Sequence, residues 1–286
     1  MNTRKSRFLS LARRTLRPAK RSVLKARMTI LRRLGLIGNE WEKGLPDEVE
    51  FWEFALGKAV QNPESVWFPY RKWMDPSLDL QEEFKALIDA PPGAVVRLLD
   101  VGSGPLTRLG KKWQDRTIEV HPVDALAEDY RSIMSRLHIS PPVWPESGHA
   151  EKLLQKFPPD YFDFAHASNS LDHAYDPLLS IRQMLAVVKP GCYAYLWHFA
   201  HEGLTEGYSG LHQWDFSIRG SDVFLRDGRG KSYSLANEFR NIATLGCERQ
   251  KYFEEATVNT HAAPGKDVVV AKLRKLRVLS PSCSRG

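Results

Sequence analysis

The chain has 286 residues, of which 42% are hydrophobic and 26% are charged. This balance is that of a globular protein with one sizeable core, or one core and a small cap. No apolar run reaches the length of a membrane span, and early arginines interrupt any signal-peptide core. Cys192, Cys247 and Cys283 lie far apart without paired spacing, so the sequence indicates neither a disulfide framework nor a zinc knuckle. We therefore expect a cytoplasmic protein.

The net charge of +7 is concentrated in one segment. Residues 1–38 hold twelve of the 41 lysines and arginines and none of the 34 acidic residues, so the remainder has 29 basic against 34 acidic residues. Such an arm is either solvated and disordered or a basic amphipathic helix. For an ordered arm we prefer peripheral contact with the inner face of a membrane, and nucleic-acid binding is the alternative.

Residues 39–92 are rich in aromatic side chains and predict a helical cap. The apolar spacing predicts helices over 47–60 and 80–88. We expect most of the rings to fill a small helical core, and the alternative is that they stack on sugar rings or bases. Arg71 is the polar residue of this segment that we expect to bind an acceptor. The inward positions predicted for the first helix are Val49, Trp52, Phe54, Ala55 and Ala59.

A glycine loop follows the strand predicted over 95–101. Gly102, Ser103 and Gly104 allow a sharp turn under a ligand, and a helix is predicted to begin near Leu106. Asp100, at the end of the strand, would repel the pyrophosphate of a dinucleotide. The same carboxylate suits a ligand that carries an ammonium and a sulfonium group.

A second acidic residue strengthens this interpretation. Asp124 lies twenty residues after Gly104 and ends a strand predicted over 118–123. It is placed to accept hydrogen bonds from two ribose hydroxyl groups. The alternative is an unrelated βαβ protein with an accidental glycine loop.

Together with Phe162-Asp163-Phe164-Ala165 and Val188-Lys189-Pro190-Gly191, these motifs resemble the class I S-adenosylmethionine-dependent methyltransferases. The resemblance implies an α/β fold with a doubly wound, seven-stranded, mostly parallel Rossmann-like sheet over 93–278. It also implies S-adenosyl-L-methionine as the cofactor. Where the family often has one acidic residue near adenine, this chain has His149 followed by Ala150 and Glu151. The implied cofactor contacts are Asp100, Gly102, Ser103, Gly104, Asp124, Ala150, Glu151 and Asn169.

The remaining elements follow the order of this fold. The patterns predict helices over 125–137 and 177–188, strands over 162–167 and 192–197, and a hairpin over 223–233. Two final strands, over 248–253 and 267–273, are expected to be antiparallel, and residues 279–286 are expected to form a loose tail.

Candidate catalytic residues follow the fourth predicted strand, where a doubly wound sheet places its ligands. Methyl transfer to a hydroxyl group benefits from a base, and histidine has a pKa near neutrality. We favour His173 as that base, supported by Asp172, although His198 and His212 could also take the proton. The alternative is that His173 only faces solvent before a helix.

The insertion over 199–222 is polar and aromatic, which suits the wall of a pocket. Its histidine, glutamate and His-Gln-Trp run resembles bacterial methyltransferases associated with surface-polysaccharide pathways, which implies a sugar or another small hydroxylated acceptor. The acceptor-binding candidates are His198, Glu202, His212 and Trp214, besides Arg71. No ligand spacing is diagnostic of a metal, so we expect none.

The leading function is therefore O-methylation of a small molecule or a glycan. One alternative is a nucleic-acid methyltransferase that grips phosphates with the basic arm. Against it stand the acidic body and the lack of an Asn-Pro-Pro-aromatic element. Another alternative is a cofactor-binding protein without catalysis. No sequence feature predicts an oligomeric state.

Overall fold

A computed structural model describes residues 40–62, 70–252 and 265–277 of the chain. The basic arm over 1–38, the tail over 279–286 and Cys283 lie outside these residues. No helix in the described ranges is both long and apolar enough to cross a membrane.

A seven-stranded sheet lies at the centre, with the strand order β3-β2-β1-β4-β5-β10-β9. Strands β1 to β5 pair in parallel, and β10 is antiparallel to both of its neighbours. This confirms the predicted doubly wound, mostly parallel sheet. The strands are β1 Val95–Val101, β2 Thr117–Asp124, β3 Glu146–Ser147, β4 Phe162–Ser168, β5 Val188–Phe199, β9 Ala243–Lys251 and β10 Asp267–Lys275.

Helices and one-turn segments cover the sheet. Helix α5 begins with Pro177, as predicted, because Pro fits the first helical position and the side chain of Asp176 accepts a hydrogen bond from Leu179 N at 2.9 Å. The helices are α1 Glu40–Gln61, α2 Tyr70–Trp73, α3 Glu82–Lys85, α4 Ala127–Arg136, α5 Pro177–Val187, α6 Glu202–Thr205 and α7 Leu235–Phe239, with 3-10 helices at Ala150–Gln155 and Leu171–His173.

The helix predicted to begin near Leu106 is absent, and residues 102–116 are irregular. Their backbone pairs with the cap instead: Lys111 N donates to Leu78 O at 2.7 Å, and Leu80 N donates to Lys112 O at 2.8 Å. The Thr107 hydroxyl donates to Asp100 at 2.7 Å and also accepts from Leu109 N. Because these groups already have partners, the segment does not close helical hydrogen bonds.

The cap differs from the prediction in detail. Helix α1 begins seven residues before the predicted start, and the helix expected over 80–88 is the single turn α3. Phe54 is 55% exposed, whereas the neighbouring Leu56 is buried with Ala55 and Ala59. Phe54 and Leu56 are two positions apart, and side chains at that spacing on a helix point in different directions.

A second, three-stranded antiparallel sheet contains β6 Trp214–Arg219, β7 Asp222–Asp227 and β8 Ser232–Ser234. Strands β7 and β8 form the predicted hairpin, and β6 was not predicted. Phe216, Val223 and Leu225 of this sheet are buried in the same apolar cluster as α5 and β5. Part of the insertion therefore belongs to the core.

Candidate active site

A cavity of about 490 Å³ opens at the carboxyl ends of β1, β2, β4 and β5. Helix α1 covers one side, and its residues Glu48 and Trp52 line the wall. This position is where open α/β sheets bind ligands, and the volume is typical of sites for small molecules.

The glycine loop forms one wall of the cavity. Gly102 and Gly104 have positive φ values of 64° and 63°. A Cβ at Gly102 would lie 2.4 Å from the Cβ of Ser170, and a Cβ at Gly104 would lie 3.2 Å from the ring of Trp52. Both positions therefore need glycine for the backbone conformation and for space. Ser103, between them, also lines the cavity.

Asp124 lines the cavity beside this loop. One carboxylate oxygen accepts from Gly104 N at 2.9 Å, and the other accepts from Leu126 N at 2.9 Å. Burial raises the pKa of Asp124 to about 6, and the two backbone hydrogen bonds oppose that rise. The carboxylate thus fixes the loop and keeps lone pairs for a ligand.

Asp100 has a different place from the one expected. It is 2% exposed, and it lies beneath the loop rather than among the residues that line the cavity. Its carboxylate accepts from the Thr107 hydroxyl and lies 2.8 Å from His166 Nδ1. Asp100 therefore supports the loop from below.

The other expected cofactor residues lie in the cavity wall. Ala150 and Glu151 line it, and Glu151 is 5% exposed, with its carboxylate accepting from Asp176 N at 3.2 Å. Burial raises the pKa of Glu151. Asn169 has a positive φ of 48°, and its side-chain oxygen accepts from Phe199 N at 3.1 Å. This bond ties the ends of β4 and β5 together at the cavity.

Three side chains that sequence analysis singled out meet at one point. The Nδ1 atom of His212 lies 2.8 Å from Asp172 Oδ2 and 3.0 Å from His173 Nε2. His173 Nε2 lies 3.4 Å from the same carboxylate oxygen. His173 and His212 line the cavity, and Asp172 is buried behind them. We call these three residues the His-Asp cluster.

The residues of the cluster stabilise one another in their charged forms. Burial alone would raise the pKa of Asp172, but the nearby His173, His212 and His198 outweigh it and hold that pKa below its usual value. Burial alone would lower the pKa of His212, but the hydrogen bond and charge of Asp172 raise it to about 9. At neutral pH the pair is therefore an imidazolium and a carboxylate.

The remaining acceptor candidates lie away from the cavity wall. His198 is 1% exposed, stacks on Phe216 and has a pKa lowered by burial to about 4. Glu202 is 3% exposed and pairs with Lys266 at 3.2 Å. The indole N–H of Trp214 donates to Ala174 O at 3.0 Å, and Arg71 is exposed on α2. Of the five candidates, only His212 lines the cavity.

Glu48 and Arg108 are among the cavity residues that the sequence did not indicate. Glu48 Oε2 lies 4.0 Å from His173 Nδ1, and Glu48 Oε1 accepts from the Trp52 indole at 2.8 Å. The Glu48 and Trp52 spacing on a helix was the available signal. Arg108 also lines the cavity. It lies in the irregular segment 102–116, where the sequence predicted a helix, so its position could not be foreseen.

The His-Asp cluster also has the chemistry of a metal site. Its ligand atoms all lie within 4.8 Å of one another, and imidazole and carboxylate bind divalent transition metals. The ligands come from positions 172, 173 and 212, so no short motif could have indicated them.

No protein-family model and no curated protein sequence matches the chain. Among solved structures, the chain is similar to the CurJ carbon methyltransferase, with 14% identity and a TM-score of 0.43 over 66% of this chain and 50% of that one. It is similar to a SAM-dependent methyltransferase from Methanosarcina mazei, with 15% identity and a TM-score of 0.44 over 70% and 100% of the two chains. It is also similar to 1,6-didemethyltoxoflavin-N1-methyltransferase from Burkholderia thailandensis, solved with 1,6-didemethyltoxoflavin and S-adenosylhomocysteine, with 16% identity and a TM-score of 0.38 over 80% and 88%. These are likenesses of fold.

Proposed function

We propose that the protein is a class I S-adenosylmethionine-dependent methyltransferase that transfers a methyl group to a hydroxyl of a sugar or another small acceptor. The observation that carries this proposal is the shared cavity. Asp124 and the glycine loop lie on one side of it, and the His-Asp cluster lies on another. A nucleoside cofactor and a proton acceptor would thus meet in one enclosed space.

The cavity favours a cation over a polyphosphate. Five acidic side chains line it, against a single lysine or arginine among the described lining residues. A sulfonium would be stabilised in this field, whereas a pyrophosphate would be repelled. The ribose hydroxyls would donate to Asp124, and the adenine would lie along Gly148 to Glu151. The acids are Asp47, Glu48, Asp124, Glu151 and Glu206.

His173 is the catalytic base of this proposal. Its Nε2 atom faces Asp172 and His212, and its Nδ1 atom is on the side of Glu48. As the bond between the acceptor oxygen and the methyl carbon forms and the bond between carbon and sulfur breaks, Nδ1 takes the hydroxyl proton. Asp172 then stabilises the imidazolium, as a carboxylate does behind a catalytic histidine.

The acceptor class and the cellular location are part of the proposal. A surface-polysaccharide sugar is supported by the His-Gln-Trp run, from which His212 reaches the cavity. Cytoplasmic location with peripheral membrane contact is supported by the twelve basic residues of segment 1–38. A nucleic-acid acceptor is disfavoured by the acidic cavity, because phosphates would meet five carboxylates there.

Two measurements test the proposal. Calorimetry should show binding of S-adenosylhomocysteine and none of NADH. Mass spectrometry of surface glycans and small metabolites, from cells with and without the protein, should then show a methyl group lost in the cells without it. Binding of NADH alone would overturn the cofactor assignment. Loss of a methyl group from rRNA or tRNA instead would identify the acceptor as a nucleic acid and overturn the sugar assignment.

His173→Ala separates an enzyme from a binding protein. It should abolish methylation in these cells while binding of S-adenosylhomocysteine is retained. His201→Ala is the matched control, because His201 also pairs with a carboxylate, Asp215 at 3.1 Å, yet does not line the cavity. If His173→Ala restores as much methylation as the wild type, the protein does not use this base.

A further inference from the structure

Arg108 occupies an unusual place in the cavity wall. It is the one lysine or arginine among the described residues that line the cavity, and it is half-buried. Its guanidinium lies 4.6 Å from the ring centre of Trp73 and 6.0 Å from that of Trp197. Its Nη1 atom donates to the Ser168 hydroxyl at 3.0 Å. Two indole rings and a hydroxyl thus hold the group in place.

The guanidinium lacks a carboxylate partner within the described part of the chain. Arg97, by contrast, pairs with Glu119 at 3.0 Å, and Arg136 pairs with Glu53 at 2.7 Å. A guanidinium offers five N–H donors, and Arg108 gives one of them to Ser168. A half-buried charge without a counter-ion is costly, since burial removes part of its hydration.

We infer that Arg108 is the subsite for a carboxylate of a bound ligand. The planar fork of a guanidinium matches the two oxygens of a carboxylate, and stacking on indole rings leaves that fork preorganised. The acidic side chains elsewhere in the cavity would repel the same carboxylate, so it would be drawn to this one wall.

The place of Arg108 in the sheet limits the source of the carboxylate. Ser168 ends β4 and Trp197 lies on β5, whereas Asp124 ends β2. In the order β2-β1-β4-β5, the arginine is two to three strands from Asp124, which is roughly 10–15 Å. The source of the carboxylate follows from the proposed function, on which this inference rests. It is either the amino-acid end of the cofactor or an acidic sugar acceptor.

The first experiment compares two adenosyl ligands by calorimetry. S-Adenosylhomocysteine carries the amino-acid carboxylate, and 5'-methylthioadenosine has the same nucleoside without it. If the cofactor supplies the carboxylate, Arg108→Met should weaken the affinity for S-adenosylhomocysteine about 10- to 100-fold and leave the affinity for 5'-methylthioadenosine unchanged. Arg108→Lys should recover part of the loss. Arg136→Met is the control, because Arg136 is exposed and outside the cavity.

The second experiment tests the acceptor as the source. Glucuronate and glucose are titrated into protein saturated with S-adenosylhomocysteine. If the acceptor supplies the carboxylate, the wild type should prefer glucuronate about tenfold or more, and Arg108→Met should lose that preference. The inference is overturned if Arg108→Met changes the affinity for neither adenosyl ligand and the wild type binds glucuronate and glucose with equal affinity. If the wild type binds neither adenosyl ligand, the proposed function fails, and the sugar titration without cofactor decides the inference alone.

Discussion

The Nδ1 atom of His212 lies 2.8 Å from Asp172 Oδ2, and this contact joins the loop before β6 to the turn after β4. The partners are 40 residues apart in the chain. Their charges are interdependent, because the carboxylate raises the pKa of the histidine and the histidine lowers that of the carboxylate. The contact therefore sets the electrostatic environment of His173, which touches both groups.

Replacing Asp172 with Asn should impair catalysis more than cofactor binding. The amide keeps the shape but removes the charge that would stabilise an imidazolium on His173. We expect the methylation rate to fall about 10²- to 10⁴-fold, while the affinity for S-adenosylhomocysteine changes less than threefold. Rate assays with calorimetry check this. A large loss of cofactor affinity would instead mean that Asp172 has a structural role.

The central sheet could be predicted from local patterns. Strands such as Val95–Val101 read as apolar, β-branched runs because both faces of a parallel sheet are buried. The helix predicted to begin near Leu106 does not form, because backbone groups of that segment bond to residues 78–80, which lie about thirty positions earlier. Strand β6 was hidden in a polar insertion, since its pairing with β7 is not visible in the residue pattern of β6 itself.

The pH dependence of stability should reveal His212. Its pKa in the folded protein is about 9, above the ordinary value of 6.5, so the folded state holds this proton more tightly. The stabilisation is complete below about pH 6.5 and is lost as the pH rises through 9. Between those values the free energy of unfolding should fall by an extra 1–3 kcal/mol, on the order expected for such a pair, relative to His212→Asn.

Denaturant titrations of both proteins at pH 6.5, 8 and 9.5 measure this difference. Other groups that titrate in this range are present in both proteins, so the comparison isolates His212. Parallel pH profiles for wild type and variant would show that His212 is not held as an imidazolium.

Cofactor affinity should depend on Asp124 at mildly acidic pH. Burial raises the pKa of Asp124 to about 6, so the carboxylate that would accept the ribose hydroxyls is lost below that pH. We expect the affinity for 5'-methylthioadenosine, which lacks an amino-acid group of its own, to weaken about tenfold between pH 7.5 and 5. Calorimetry at both values checks this.

Asp124→Ala supplies the control for that titration. It should bind weakly at both pH values and lose the dependence, since the titrating group is gone. If the variant keeps the wild-type pH profile, another group is responsible. Glu48 and His173 are the titratable residues that influence the pKa of Asp124, so their variants would be measured next.

The positions of the candidate site residues could be predicted where each depends on one short segment. Gly102 and Gly104 come just after β1 and Asp124 ends β2, and parallel strands bring their carboxyl ends to one edge. Asp100 was misplaced because its partner, His166, lies on a different strand, 66 residues away. His198 was misplaced because a histidine at the end of a strand faces either the cavity or the core, and the sequence does not show which.

Removal of metal ions should leave the reaction unchanged. The His212 imidazolium already pairs with Asp172 at 2.8 Å, and a metal ion at the cluster would compete with that pair. The proposed base also needs the charge of Asp172 to stabilise His173, and a bound metal ion would neutralise part of that charge. We expect dialysis against EDTA to leave the methylation rate within about twofold of the starting value. Loss of activity that Mn²⁺ restores would show that the cluster works as a metal site instead.

Alanine at Gly102 should disrupt the loop. The backbone there has a φ of 64°, and a Cβ would lie 2.4 Å from the Cβ of Ser170. The strain and the overlap together should lower the free energy of unfolding by about 2–4 kcal/mol and weaken S-adenosylhomocysteine binding. Gly246→Ala is the matched control, because a Cβ at that position in β9 has nothing within 4 Å and φ is not positive. Thermal denaturation and calorimetry compare the two variants, and equal effects from both would mean that the Gly102 turn is not held against Ser170.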